Sequence, residues 1–125
     1  MVLGGCVSSV TQVSPETIVS AIDFTPYTQR GFLFTPEVYE GPYEAIGLIT
    51  VTRYAAGHYA TDMARWEFDP IPVRDVLDSV YARAMAMGGD ALMRFRLENV
   101  VAPAAVRLPA TPGLEVSGFA IRRRK

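Results

Sequence analysis

One helical segment with a clear start and a clear end constrains the fold of this chain more than any other feature. Apolar side chains recur at helical spacing from Val73 to Met87. They are Val73, Val76, Leu77, Val80, Ala84 and Met87. The prolines Pro70 and Pro72 stop the segment before the helix, and Gly88-Gly89 ends it, because glycine adopts the left-handed conformation at low cost. The remaining apolar residues must therefore pack around one main helix.

The segments around this helix are rich in β-branched and aromatic residues and predict strands. Strands are predicted over residues 45–54, 90–101 and 114–122, with a less regular strand over 59–68. In the strand after the helix, Ala91, Met93, Phe95 and Leu97 alternate with Arg94, Arg96 and Glu98. We therefore predict an α+β fold, in which a small, mainly antiparallel sheet packs on the helix at about residues 73–87.

The residues before the first of these strands are predicted to form an extended N-terminal arm. Ser14-Pro15-Glu16-Thr17 is typical of a helix start and predicts a short helix to about Ile22. Phe-Thr-Pro then occurs twice, at Phe24–Pro26 and at Phe34–Pro36, and each proline favours an extended threonine before it. Gly31–Phe34 is predicted to be a short strand or an extended arm.

Apolar residues occupy both faces of the predicted strands. In the predicted strand over residues 45–54 they are Ile46, Leu48, Ile49 and Val51. In the last strand they are Leu114, Val116, Phe119 and Ile121. A sheet with one solvated face would instead alternate apolar and polar residues. The helix covers one face, so the other face needs the Phe24–Phe34 arm, a partner subunit, or both. We predict a homo-oligomer.

The charge of the chain argues against a nucleic-acid partner. The formal net charge is −1, and residues 1–71 carry three basic and eight acidic side chains, whereas residues 72–125 carry nine and five. Four of the nine are the closing residues Arg122, Arg123, Arg124 and Lys125, which we interpret as a solvated basic tail. A nucleic-acid surface needs basic residues spread along an element and interleaved with exposed aromatics.

The first residues indicate a membrane anchor. Leu3-Gly4-Gly5-Cys6 resembles the lipobox of bacterial lipoproteins, in which the cysteine thiol carries the lipid, and a polar segment follows it. A basic and then apolar signal sequence would precede such a lipobox, so this interpretation expects the true start to lie upstream of Met1. The alternative is a frayed terminus with a free thiol. We predict a start and flexible tether at residues 1–14 and one domain at residues 15–125.

The sequence gives no catalytic pattern, and we predict that the protein is not an enzyme and uses no cofactor. Cys6 lies far along the chain from His58, and no Gly-x-Ser-x-Gly nucleophile elbow occurs. One cysteine and one histidine exclude a zinc site built from several thiolates or imidazoles of one chain. His58 and Asp62 remain as candidate metal ligands, and a ring of copies would bring several His58 side chains together. Otherwise no metal site is predicted.

The C-terminal half resembles a known family. A helix that closes on Ala84–Leu92, with Gly88-Gly89-Asp90-Ala91 at its turn, precedes a strand and then Val116–Arg122. This pattern is similar to a family of small bacterial domains of unknown function labelled as heavy-metal-binding. The resemblance implies a dodecin-like fold and ring-shaped oligomers. The Rcs-type stress-sensing lipoprotein has a related helix-then-strand arrangement, and Gly31–Glu37 with Tyr43–Ile49 resembles uncharacterised lipoproteins of the Bacteroidetes type.

Two functions follow from these observations. The first is a non-enzymatic, self-assembling module of the cell envelope, tethered to the membrane by a lipid on Cys6. The second is a soluble cytoplasmic ring that binds a ligand or a metal.

Asp90, in the turn after the helix, is interpreted as a turn residue that bonds its own backbone.

Overall fold

The computed structural model describes residues 15, 17, 19–102 and 110–124, which form two helices and six strands. In chain order the elements are α1 (Thr25–Gln29), β1 (Leu33–Phe34), β2 (Tyr43–Tyr54), β3 (Gly57–Ala60), β4 (Arg65–Phe68), α2 (Val73–Ala86), β5 (Ala91–Ala102) and β6 (Thr111–Arg123). Four strands form a sheet in the order β1-β5-β6-β2, and β3 pairs with β4 in a separate hairpin. Only the short β1–β5 pairing is parallel among the described strands. The predicted α+β class, with a mainly antiparallel sheet and one main helix, is confirmed.

The main helix ends as its glycines predict. Gly88 has a φ of +91°, and its N–H donates to the Met85 carbonyl at 3.0 Å, while the Gly89 N–H donates to the Ala84 carbonyl at 2.9 Å. These two bonds form a Schellman motif, which satisfies carbonyls that a helix end leaves unpaired. The guanidinium of Arg122 then donates to the Gly88 carbonyl at 2.9 Å, so the last strand holds the helix end in place.

Helix α2 packs on one face of the sheet, which we call the helix face. Its buried side chains meet apolar residues from all the long strands. The buried cluster contains Val76, Leu77, Val80 and Ala84 from α2, Ile49 from β2, Leu92 from β5, and Leu114, Val116 and Ala120 from β6. The strand pairing explains this set, since Ile49 lies opposite Gly118 and Leu92 lies opposite Ala120. None of the described helices lies on the opposite side of the sheet, which we call the helix-free face.

The N-terminal arm packs on the helix face. Tyr27, Phe32 and Phe34 are buried in the same cluster as α2, and the Tyr27 hydroxyl donates to the Asp78 carboxylate of α2 at 2.6 Å. The sequence leaves the arm, a partner subunit or both as covers for the other face. The arm supplies Leu33 at one end of that face, whereas its aromatic residues Tyr27, Phe32 and Phe34 lie on the helix face. The prediction of an extended Thr25 is wrong, because Thr25 begins α1 with proline in the first turn, where its missing N–H costs nothing. Residues 19–22 are not helical.

A β-bulge in β5 divides the predicted alternation into two registers. Met93 lies opposite Phe119 and Arg96 lies opposite Ser117, so two residues of β5 face one of β6. Before the bulge Met93 points to the helix-free face, whereas after it Phe95 points to the helix face and packs against the Phe34 ring at 5.6 Å. The alternating apolar residues of this strand therefore do not share one face.

The predicted strand at residues 59–68 is instead a hairpin. Strands β3 and β4 are joined by residues 61–64, where Ala64 has a φ of +51° and the Met63 N–H donates to the Ala60 carbonyl. A left-handed residue allows the chain to reverse in such a short loop, although glycine would be the usual choice. The strand prediction missed this turn because no glycine or proline marks it.

The last strand takes up part of the predicted basic tail. Arg122 and Arg123 belong to β6, and the Arg123 N–H donates to the Asp90 carboxylate at 2.8 Å. The Asp90 side chain therefore bonds the backbone of a neighbouring strand rather than its own turn. Lys125 lies outside the described residues.

Candidate functional site

The helix-free face is the part of the sheet that the chain itself covers least. At one end Ala91, Met93 and Ile121 are buried beneath Leu33, Tyr39 and Tyr43. Beyond this small cluster the face is open, and the residues there lie on the middle of β2, β5 and β6. Because α1, the arm and α2 all pack on the helix face, these residues have no cover from those elements.

The β5 bulge shapes a groove on this face. Arg94 adopts a φ of +53°, its N–H donates to the Glu37 carbonyl at 3.1 Å, and the Phe95 N–H donates to the Thr35 carbonyl at 3.0 Å. These bonds hold the segment after β1 alongside the bulge. The groove between this segment and the sheet has a volume of about 460 Å³. Its lining residues are Pro36, Glu37, Val38, Leu48, Arg94, Arg96, Ser117, Gly118 and Phe119.

Two large apolar side chains form the floor of the groove. Leu48 and Phe119 lie directly opposite each other on β2 and β6, and they are 63% and 42% exposed. Val38 stands exposed at the groove wall. An antiparallel sheet that faced water would carry polar side chains at such central positions. The groove therefore has an apolar floor that is suited to contact with another surface.

The charged rim of the groove is basic on the β5 side. Arg96 pairs with Glu98 on the same strand, whereas the Arg94 guanidinium has no hydrogen-bond or ion-pair partner among the described residues. A residue other than glycine in the left-handed region destabilises the fold by roughly 1 kcal/mol. The conformation of Arg94 in the bulge therefore lowers the free energy of unfolding. The result is an unpaired cation beside an apolar floor.

The β3–β4 hairpin has one apolar and one polar face. Tyr59 lies opposite Trp66, with ring centroids 5.7 Å apart in an edge-to-face arrangement. His58 lies opposite Glu67 on the other face, and Arg65 forms an ion pair with Glu67 at 3.3 Å. Such a pattern normally indicates that the apolar face is buried. Here Tyr59 and Trp66 are 49% and 45% exposed.

The predicted metal ligands lie on this hairpin. His58 is in β3 on its polar face, and Asp62 is in the connecting turn. Within the part of the chain that the structure describes, no group of three or more His, Cys, Asp or Glu side chains could hold a metal ion. The structure therefore does not combine His58 and Asp62 with further ligands of the same chain.

The predicted lipidation site lies outside the described residues. Cys6 and the tether at residues 1–14 are not among them. Of the helices in the described ranges, none has the length and apolar character needed to cross a membrane.

Ser117 and Gly118 are neighbours in β6, and their Cα atoms direct substituents to opposite faces of the sheet. Ser117 lines the groove, and Gly118 lies under the core residue Leu92. A Cβ at position 118 would come within 2.6 Å of Leu92 Cγ, so only glycine fits there without a shift. Sequence reasoning missed the groove as such, although the apolar residues on both faces of β2 and β6 were the signal that one face would stay open.

Comparison with known proteins identifies the fold alone. No protein-family model matches the sequence, and no curated protein matches it. A similar solved structure is the crystal structure of a protein of unknown function from Pediococcus pentosaceus, described as a member of the DUF74 family. The two chains share 14% sequence identity and a TM-score of 0.53, over 75% of this chain and 99% of the other. At this identity the likeness supports the α+β architecture and carries no function with it.

Proposed function

We propose that this protein is a non-enzymatic module that assembles with copies of itself through the helix-free face, and that a lipid on Cys6 holds it in the cell envelope. The observation that carries the first part is the exposed pair Leu48 and Phe119 at the centre of that face. Apolar surface removed from water contributes roughly 25 cal/mol per Å², so covering this pair favours association.

The arrangement of the arm strengthens the case for a partner. Two internal covers were available for the second face of the sheet, namely the arm and the segment after β1. The aromatic residues of the arm are buried on the helix face, and the segment after β1 leaves Leu48 and Phe119 exposed. Of the covers that the sequence left open, the arm and a partner subunit, we therefore propose the partner subunit, as a second copy of this chain.

The chemistry of the groove favours binding over catalysis. Arginine stays protonated at physiological pH, so Arg94 and Arg96 offer hydrogen-bond donors and charge but cannot act as general bases. Glu37 also lines the groove, but among the described residues no second carboxylate, histidine or cysteine lines it with Glu37. The histidine of the chain, His58, lies on the hairpin and does not line the groove. These groups suit the recognition of an acidic or carbonyl-bearing surface.

The envelope part of the proposal rests on the lipobox-like Leu3–Cys6. Phe24 packs against the core, so the chain between it and Cys6 reaches at most roughly 60 Å when fully extended. A lipid on Cys6 would therefore keep the assembly close to the bilayer. The two or three acyl chains of a bacterial lipoprotein anchor stably, whereas one chain binds only marginally.

Replacing the apolar pair tests self-assembly. Phe119→Glu and Leu48→Glu place a charge on the helix-free face, and Met85→Glu makes the same change at an exposed position of α2 as a matched control. We expect the wild-type and the Met85 variant to sediment alike at micromolar concentration, and both face variants to dissociate while their circular dichroism stays unchanged. Face variants that keep the wild-type mass would contradict the proposal.

A further inference from the structure

The β3–β4 hairpin exposes an apolar face that the described residues of the chain leave uncovered. Tyr59 and Trp66 share that face, and Met63 in the connecting turn is exposed beside them. The polar face carries its own ion pair between Arg65 and Glu67. The hairpin thus has the pattern of an element that is buried on one side and solvated on the other, without a covering surface within the described part of the chain.

The hairpin is joined to the body mainly at its base. The Asp69 N–H donates to the Ala56 carbonyl at 2.8 Å and closes the base of the hairpin, and the Ala55 N–H joins this base to β6 by donating to the Pro112 carbonyl at 2.9 Å. Its strands pair only with each other among the described strands. A two-stranded hairpin is marginally stable in water unless a further strand or a packed surface supports it. A docking surface for the aromatic face would supply that support.

The groove on the helix-free face matches the hairpin in both polarity and charge. The groove offers the apolar floor of Leu48 and Phe119 beside the unpaired cation of Arg94, and the two arginines of its lining outnumber its carboxylate, Glu37. The hairpin offers its aromatic face beside Asp62, whose carboxylate has no hydrogen-bond or ion-pair partner among the described residues. Hairpin residues do not line the groove of their own chain.

We propose that the hairpin of one copy docks into the groove of a second copy, with Trp66 over Phe119 and Asp62 paired with Arg94. This inference rests on the proposed self-assembly and names the two surfaces that meet. Hairpin and groove are different surfaces. Two copies that exchange hairpins reciprocally form a closed two-fold dimer, whereas head-to-tail docking closes as a ring.

The area that the hairpin aromatics can bury is smaller than the area of a stable interface. Tyr59 and Trp66 are half exposed, so covering them removes roughly 100 Å² each from water. A stable interface buries about 800 Å² per partner. The hairpin therefore acts as an anchor within a larger contact, which the exposed residues of the helix-free face around the groove extend.

Charge reversal tests the paired ions. Asp62→Arg and Arg94→Asp should each weaken assembly about tenfold or more, and the double variant should recover most of the loss because the pair is restored with opposite polarity. Aspartate is tolerated in the left-handed region, so Arg94→Asp keeps the bulge. Arg83→Asp, a charge reversal at an exposed position near the end of α2, is the control and should leave the assembly constant unchanged.

Mixing two defective variants tests the docking partners directly. Trp66→Ser keeps an intact groove, and Phe119→Glu keeps an intact hairpin. Each alone should be monomeric, and the 1:1 mixture should form a heterodimer of twice 13.7 kDa in native mass spectrometry. If the wild-type chain assembles but Trp66→Ser assembles equally well, or the mixture stays monomeric, the docking inference is overturned while self-assembly stands. A monomeric wild-type chain overturns both.

Discussion

The Tyr27 hydroxyl donates a 2.6 Å hydrogen bond to the Asp78 carboxylate, across 51 positions of sequence. The Tyr27 ring is fully buried between the Phe34 ring and the Tyr81 ring, and the Arg74 guanidinium lies 5.6 Å from its centroid. This contact ties the N-terminal arm to α2. Because Tyr27 holds the aromatic residues of the arm on the helix face, Leu48 and Phe119 stay exposed on the helix-free face.

Removing that hydroxyl should weaken the fold. Tyr27→Phe keeps the ring and deletes the bond, and Asp78 is exposed, so water can solvate the carboxylate that is left. We expect the free energy of unfolding to fall by about 1 kcal/mol, at the low end for a buried hydrogen bond. Tyr81→Phe is the matched control and should cost less. Urea denaturation followed by circular dichroism measures both, and equal losses would contradict the assignment.

Because of the same bond, the free energy of unfolding should fall as the pH rises into the alkaline range. Burial, and then the bond to Asp78, raise the pKa of Tyr27 above its usual value near 10. In the unfolded chain Tyr27 ionises near pH 10, whereas in the folded chain it keeps its proton, so rising pH favours the unfolded state. The contribution is fully present below about pH 10 and is lost above it. The stability gap between wild-type and Tyr27→Phe should therefore shrink as the pH rises past 10, and a constant gap would refute this.

Replacing the strained Arg94 should weaken assembly without lowering the stability of the monomer. Arg94→Gly relieves the φ of +53° but makes the unfolded chain more flexible, so the monomer should be unchanged or up to about 1 kcal/mol more stable. Arg96→Gly, next to the bulge in β5, lacks that relief and should destabilise. The first variant should nevertheless assemble more weakly than the wild-type chain, because it loses the cation at the groove. Loss of stability in Arg94→Gly would show that the bulge does not strain the residue.

The lipid anchor is tested at the thiol. With its genuine upstream region, Cys6→Ser should move the protein from the membrane fraction to the soluble fraction, because the hydroxyl cannot take the lipid through a thioether. Its circular dichroism should match that of the wild-type chain, since Phe24 and later residues make the core. A serine variant that stays membrane-bound would contradict the anchor at Cys6, whereas a wild-type chain found in the soluble fraction would favour the cytoplasmic alternative.

Local patterns predicted the helix and its end because the physical causes are local. The helical spacing from Val73 and the left-handed Gly88 need no information from distant residues, and both are confirmed. The three long strands are likewise predicted from their β-branched residues, with ends that differ from the observed strands by a few positions. The class of the fold follows from these elements.

The features that the sequence did not predict depend on contacts between residues far apart along the chain. The β5 bulge depends on how that strand aligns with β6, and an arginine at its left-handed position gives no glycine signal. The side on which the arm packs depends on the contact between Tyr27 and α2, which lies 51 positions away. The open face was therefore predictable from the apolar pattern of Leu48 and Phe119, but the groove and the hairpin were not.

Sedimentation equilibrium of the full chain across micromolar concentrations tests the central claim of self-assembly most directly. The exposed pair Leu48 and Phe119 predicts a mass that rises with concentration to a defined multiple of 13.7 kDa. A single species of 13.7 kDa over the whole range would contradict the claim.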